Sequence, residues 1–263
     1  MSVELSREQL LQKAIECFRK AGLPAKIAEC YEEWPRYPQA AEIYEKECRD
    51  LTGAARCWAN AREYKRAAQL YEKAGACEEA VKNWMKAGDF LAAGRICEHP
   101  LEDPARAAKT YEQGACWFEA ARLWDRSLGN PERALDLYLK AVERLPPGPS
   151  PRRAEALLAA AYLCHAAGNE RRREEFREQG ERVAEQLAEA GKPADAGRAF
   201  EALGEFGVRA ARGAQADTGY ESALRSFRRA NRVEEVQRVI SAYLAYARSV
   251  GNVSLVQRLE REK

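Results

Sequence analysis

The side chains of this sequence that could act as nucleophiles, bases or metal ligands are eight cysteines, two histidines and many carboxylates. No two cysteines form a C-x-x-C pair, and His99 and His165 lie far apart in sequence, so the spacing does not predict a zinc site. Cys164 and His165 are neighbours on a predicted helix, where their side chains point about 100° apart and cannot form a nucleophile–base pair. Phosphate-binding glycine loops and the G-x-S-x-G and H-E-x-x-H motifs are absent from the sequence. We therefore expect a non-enzymatic protein, with no catalytic residue, metal or cofactor.

Two groups of neighbouring arginines are the candidate partner-binding residues. They are Arg225, Arg228, Arg229 and Arg232, and Arg171, Arg172 and Arg173. The first group has the spacing i, i+3, i+4, i+7, which predicts one shared helix face. Guanidinium groups pair bidentately with carboxylates and phosphates, so an acidic protein segment or a nucleic-acid backbone would fit such a face. The alternative is a solvated surface that Glu221, Glu234 and Glu235 neutralise.

The overall charge favours a protein partner. The chain has 43 basic and 41 acidic residues, a net charge of +2, which is no footprint for bulk nucleic-acid binding. We expect the partner to be a protein that binds through an extended or helical segment. An acidic segment is one such partner. A nucleic-acid-binding helical module that uses the Arg-rich C-terminal half is the alternative function.

A short phrase recurs through the first half of the sequence. It consists of a small pair, an aromatic residue and then Ala-Gly, as in the stretch from Ala67 to Gly75 and the stretch from Ala80 to Gly88. The aromatic recurs about every 13 residues, which is typical of a repeat fold. Its copies are Phe18, Tyr31, Tyr44, Trp58, Tyr71, Trp84, Tyr111, Trp124 and Tyr138, with Cys97 at the missing position.

This period predicts the architecture. It leaves helices of about ten residues, or ~15 Å, which are marginal alone and must pack against their neighbours. Paired alanines allow close approach of the backbones, and the aromatic fills the space across from them. We predict an all-α, right-handed α-solenoid of short antiparallel helix hairpins, with longer capping helices at the C-terminal end.

The phrases AAQLYEKAG, AAEIYEKE, AAKTYEQG and AARLWDRS resemble tetratricopeptide-like repeats. They look most like the short α/α repeats of helicase-associated, SNAP-like and coat or intraflagellar-transport solenoids, over about residues 8–144. The resemblance implies a protein–protein interaction scaffold or adaptor, or the scaffold or sensor segment of a larger assembly. The standard tetratricopeptide repeat has 34 residues. Because this period is shorter, no binding residue is transferred from that family.

Composition divides the chain into three predicted parts. Residues 1–144 form the short-period repeats, the Pro-rich stretch 145–151 is a linker, and residues 152–263 form divergent helical repeats and a C-terminal helical cap. Within the last part we predict separate helices at about 193–203 and 205–212, and a flexible loop at 212–219.

The repeat register also predicts which side chains are buried. Cys17, Cys30 and Cys57 precede the recurring aromatic, where other copies have Ile or Leu, so we expect them in the core as reduced thiols. We expect the rings of the repeat tyrosines to lie in the core and their hydroxyls to reach solvent or a partner. These tyrosines are Tyr44, Tyr71, Tyr111 and Tyr138. No stretch of 18 apolar residues predicts a membrane span, and the first residues do not read as a secretory signal, so we expect a cytoplasmic protein.

Overall fold

The computed structural model describes residues 6–263, and within this range the chain forms sixteen α-helices and no β-strand. The all-α prediction is confirmed. The helices are α1 Arg7–Lys20, α2 Pro24–Glu33, α3 Tyr37–Ile43, α4 Leu51–Asn60, α5 Tyr64–Lys73, α6 Cys77–Lys86, α7 Phe90–Glu98, α8 Pro104–Gln113, α9 Trp117–Arg126, α10 Pro131–Arg144, α11 Pro151–Ala166, α12 Glu170–Glu189, α13 Pro193–Arg209, α14 Gly213–Arg229, α15 Val233–Ser249 and α16 Val253–Glu262. None of these helices is both long enough and apolar enough to cross a membrane.

The chain divides into two compact units, residues 1–116 and residues 117–263. Within each unit each helix packs against the next helix in sequence, which is the packing of an α-solenoid. The predicted linker 145–151 lies inside the second unit, between α10 and α11, and those two helices pack together. The independent folding of residues 1–144 stays a prediction.

The first unit follows the predicted repeat closely. The paired alanines are completely buried, and the repeat aromatics Tyr44, Trp58, Trp84 and Tyr111 are buried beside them. Tyr71 is only half-buried. Because alanine adds so little bulk, backbones can approach closely while the aromatic ring supplies the area that is removed from water.

Glycine ends α5 and α6, as its position in the phrase predicts. Gly75 and Gly88 have φ values of +74° and +77°, in the left-handed region that side-chain-bearing residues rarely adopt. The residue directly after each glycine then donates its backbone N–H to the carbonyl of the repeat aromatic: Ala76 to Tyr71 at 2.9 Å and Asp89 to Trp84 at 3.0 Å. This hydrogen bond is the Schellman closure, which satisfies a terminal carbonyl and sharply reverses the chain.

Cys97 replaces the aromatic without breaking the packing. It is fully buried in α7, and the neighbouring Gly94 lies directly against the ring of Tyr111 from α8. A Cβ atom at Gly94 would lie 2.3 Å from that ring, so only glycine fits there. The Tyr111 hydroxyl donates a hydrogen bond to Glu98 Oε2 at 3.1 Å. The Tyr111 ring therefore packs directly against the backbone of α7 at Gly94.

The second unit corrects two sequence predictions. Residues 193–203 and 205–212 are not separate helices, because α13 runs unbroken from Pro193 to Arg209. The predicted loop 212–219 is also wrong, since α14 begins at Gly213. Gly204 and Gly219 are buried contact points between α13 and α14 rather than helix stops, and a Cβ at Gly219 would lie 2.2 Å from the backbone nitrogen of Gly204.

Helix α16 packs against α15 in the second unit. It buries Leu255 and Leu259 as part of the core that α14 and α15 form. Its opposite face carries exposed Gln257, Glu260 and Arg261. The helix is therefore amphipathic, with one side in the core and the other in water.

The cysteine predictions are partly right. Cys30, Cys57 and Cys97 are buried in the first unit, and burial raises the pKa of the Cys57 thiol to about 12. Cys17 is exposed, which contradicts its expected place in the core. Its helix, α1, buries only Ile15 fully, so the register of the central repeats does not extend to the first helix.

Candidate partner-binding site

Three of the predicted arginines line one surface groove of the second unit. Arg225, Arg228 and Arg229 lie on α14 beside Phe200 of α13, around a groove of about 420 Å³. Ser222 and Ser226 complete the lining, and Ser226 is buried. The half-buried Phe200 ring provides an apolar floor, while the three guanidinium groups are exposed around it. We call this surface the arginine groove.

The arginines of the first group differ in how far they are already neutralised. Arg228 Nη2 lies 2.7 Å from Glu262 Oε2, and Arg225 Nη2 donates to Ser222 Oγ at 3.1 Å. Within residues 6–263, Arg229 and Arg232 make no ion pair. An exposed pair such as Arg228–Glu262 is worth about 0–1 kcal/mol, so a partner carboxylate can replace Glu262 at little cost.

Arg232 does not share the helix face of the other three. Helix α14 ends at Arg229, and Asn231 adopts a left-handed conformation with φ of 55°. Arg232 therefore lies in the turn before α15, and the spacing i, i+7 no longer places it above Arg225. This part of the sequence prediction is wrong because the helix ends one turn earlier than the spacing assumes.

The second arginine group is dispersed around α12. Arg173 is buried and pairs with Glu170 and Glu174, so it belongs to the structure of the helix. Arg172 lies over the Phe176 ring, 5.4 Å from its centroid, and Arg171 is exposed. Consecutive residues on a helix point about 100° apart, so these three cannot form a single binding face.

The carboxylates that would neutralise the arginine groove are only partly available. Glu221 lies 2.9 Å from Arg258 Nη2, and that pair occupies it. Glu234 and Glu235 lie in the first turn of α15, where a helix N-terminus favours negative charge. The groove therefore keeps a local excess of positive charge.

A second concave site, which the sequence does not indicate, lies between α9, α10, α11 and α13. This inner cleft has a volume of about 230 Å³ and is lined by Phe118, Arg122, Arg126, Tyr138, Glu155, Leu158, Ala159, Tyr162, Arg198, Glu201, Ala202, Glu205, Phe206 and Arg209. Arg209 Nη2 is 2.9 Å and 3.0 Å from the two oxygens of the buried Asp125 carboxylate. Its guanidinium carbon is also 3.7 Å from the Tyr162 ring centroid, a cation–π arrangement.

Burial dominates the electrostatics of the inner cleft. It raises the pKa of Glu155, and Coulombic attraction from Arg152 and Arg198 opposes that rise. Burial likewise raises the pKa of Glu201, while a hydrogen bond from Arg238 lowers it. Burial therefore disfavours the ionised form of both carboxylates. Sequence reasoning missed it because its lining comes from four helices, with no local motif.

Comparison with known proteins gives no functional assignment. No protein-family model matches this chain, and no curated protein matches it. Among solved structures, a crystal structure of BtubC (BKLC) from P. vanneervenii is similar, with 19% identity, coverage of 87% of this chain and 93% of that chain, and a TM-score of 0.34. A circular tandem repeat protein with novel repeat topology and enhanced subunit contact surfaces has 17% identity, coverage of 97% and 68%, and a TM-score of 0.27.

Proposed function

We propose that this chain is a non-enzymatic protein-interaction scaffold or adaptor, and that its arginine groove binds an acidic segment of a partner protein. Stacked helix hairpins expose a long surface for their mass, which suits extended partners. The groove is the observation that carries the proposal. It combines an apolar floor at Phe200 with exposed guanidinium groups, of which Arg229 makes no ion pair within residues 6–263.

The chemistry of the groove defines its ligand. An aliphatic or aromatic side chain of the partner would cover Phe200, and flanking Asp or Glu residues would pair with the rim arginines. Arginine holds carboxylates bidentately and keeps its charge at all physiological pH values. Such a site selects for an apolar residue between acidic ones.

A peptide-binding experiment tests this proposal. An array of acidic peptides with one central apolar residue would be probed with the full chain and with a variant carrying Arg225→Gln, Arg228→Gln and Arg229→Gln. The control carries Lys65→Gln, Arg95→Gln and Lys109→Gln, which removes the same charge from exposed positions of the other unit. We expect the groove variant to lose at least about tenfold in affinity, since three exposed ion pairs with the partner, each worth up to about 1 kcal/mol, are lost together.

Two results would overturn the proposal. Equal losses in both variants would mean that only net charge matters. Retention of peptide binding by the groove variant would place the site elsewhere. Tight binding to single-stranded nucleic acid, with a steep decrease as salt rises, would instead support the nucleic-acid-binding alternative.

A further inference from the structure

The arginine groove contains a polar group besides its guanidinium groups. Ser226 is 8% exposed and lines the groove, and within residues 6–263 its hydroxyl makes no hydrogen bond. A helical serine can return its hydroxyl to the carbonyl four residues earlier, as Ser241 does to the Gln237 oxygen at 2.9 Å. The Ser226 hydroxyl does not, so it is left to an occupant of the groove.

The donors of the groove lie along one face of α14. Ser222, Arg225, Ser226 and Arg229 have the spacing i, i+3, i+4, i+7, which places them one above another over two turns. Arg225 Nη2 donates to Ser222 Oγ at 3.1 Å, which holds the guanidinium group on this face and leaves its charge uncompensated. An anion at Ser226 would therefore meet a hydroxyl at the floor and guanidinium groups beside it.

The positive charge of the groove is larger than one carboxylate can neutralise. Its lining contains three arginines and no acidic residue. Among the described residues, Arg228 pairs with Glu262 at 2.7 Å, whereas Arg225 and Arg229 have no carboxylate partner. A carboxylate supplies one negative charge and two oxygens, but a phosphate monoester carries about −1.5 to −2 at pH 7 and has three acceptor oxygens. The remaining charge and the number of donors both match the phosphate.

We propose that the acidic group held in the arginine groove is the phosphate of a phosphoserine or phosphothreonine in the partner segment. This inference rests on the proposed function and specifies its ligand. Arg225 and Arg229 pair with the phosphate oxygens, and the Ser226 hydroxyl donates to one of them. The short stem of these residues keeps a neighbouring apolar side chain of the partner within reach of Phe200.

Matched peptides test the inference on the full chain. Three peptides would share one sequence with a leucine beside the variable position, which is phosphoserine, aspartate or serine. We expect the phosphoserine peptide to bind at least about tenfold more tightly than the aspartate peptide, because a phosphate adds charge-assisted hydrogen bonds. If the aspartate and phosphoserine peptides bind equally, the inference is wrong and the proposed function stands. If neither binds more tightly than the serine peptide, both are wrong.

Substitution of Ser226 by alanine separates the phosphate contact from net charge. We expect this variant to lose about threefold to tenfold in affinity for the phosphoserine peptide, since a hydrogen bond to a charged group is lost, and to bind the aspartate peptide unchanged. Ser241→Ala removes a hydroxyl from α15 outside the groove and is the matched control, with unchanged affinity for both peptides. Circular dichroism checks that both variants are folded. An equal effect of the two substitutions overturns the inference.

The pH dependence gives an independent measurement. The second pKa of a phosphate monoester is about 6, so the phosphoserine peptide should bind more weakly at pH 5.5 than at pH 7.5, while arginine stays charged. The aspartate peptide should show little change over this range. A phosphoserine peptide whose affinity does not fall overturns the inference. So does tighter binding to phosphatidic acid vesicles or to single-stranded nucleic acid than to the phosphoserine peptide, because the phosphate would then come from another source.

Discussion

Substitution of Gly219 by alanine should push α13 and α14 apart. The added Cβ would lie 2.2 Å from the Gly204 nitrogen and 2.6 Å from its Cα, about 1 Å closer than the 3.4 Å at which ordinary contact begins. Both atoms belong to the backbone, so no rotamer change can relieve the clash. The two helices must separate, and the nearby contacts of Leu203 and Tyr220 loosen with them.

Two opposing terms set the magnitude of this effect. Replacing a mid-helix glycine by alanine stabilises a helix by roughly 0.5–1 kcal/mol. Overpacking a tight contact costs about 1–3 kcal/mol. Since the clash is with backbone, we expect the upper part of that range and a net destabilisation of about 1–2 kcal/mol.

The matched control is Gly213→Ala at the start of the same helix. There the new Cβ would meet only the Tyr246 hydroxyl, at 3.0 Å, and that half-exposed side-chain end can move. We expect a change within about 0.5 kcal/mol, as for most substitutions without a packing defect. Urea unfolding followed by circular dichroism compares the two variants, and hydrogen exchange shows whether α13 and α14 open first. If Gly219→Ala is as stable as the native chain, the close crossing of these helices is wrong.

Three further predictions concern the core and the division of the chain. Trp84→Ala should cost ~3–5 kcal/mol in urea unfolding, because its ring is buried, and the half-buried Tyr71→Ala should cost less. Equal small losses would contradict the repeat register. Alkylation at pH 8 should label the exposed Cys17 in the native chain and spare Cys57, whose pKa of about 12 keeps it a protonated, inaccessible thiol; eight thiols should react after denaturation, and fewer would indicate a disulfide. A fragment of residues 1–144 should be helical by circular dichroism but should self-associate in light scattering, because it lacks α11, against which α10 packs. If the fragment is unfolded, residues 145–151 are a loop within one core and not a linker between two domains.

Much of the first unit is predictable because its rules are local. A small pair, an aromatic and Ala-Gly specify a helix face and a helix end within about 13 residues, and Gly75 occupies the left-handed position that its place in the phrase implies. The burial of Ala67 and Ala68 follows from the same face. Neighbouring copies repeat the pattern, so a helix that is ambiguous in one copy can be assigned from the copies beside it.

The π-helical turn Tyr44–Cys48 shows where this local reasoning ends. Five residues widen the helix after α3, and Arg49 then adopts a left-handed conformation with φ of 55°. The phrase AAEIYEKE carries no glycine to mark that stop. Tyr44 remains buried, so packing determines the backbone around it.

The sequence by itself determined that the chain is all-α, that helices of about ten residues recur along the first unit, and that the paired alanines are buried there. Only the tertiary structure decided the role of Gly204 and Gly219, since a glycine that ends a helix and one that admits a neighbouring backbone look alike in sequence. It also decided which arginines share a surface, and it brought residues of four helices together in the inner cleft. The physical reason is the range of the interaction: helix periodicity and capping act within a few residues, whereas close packing and burial depend on partners far away in the chain.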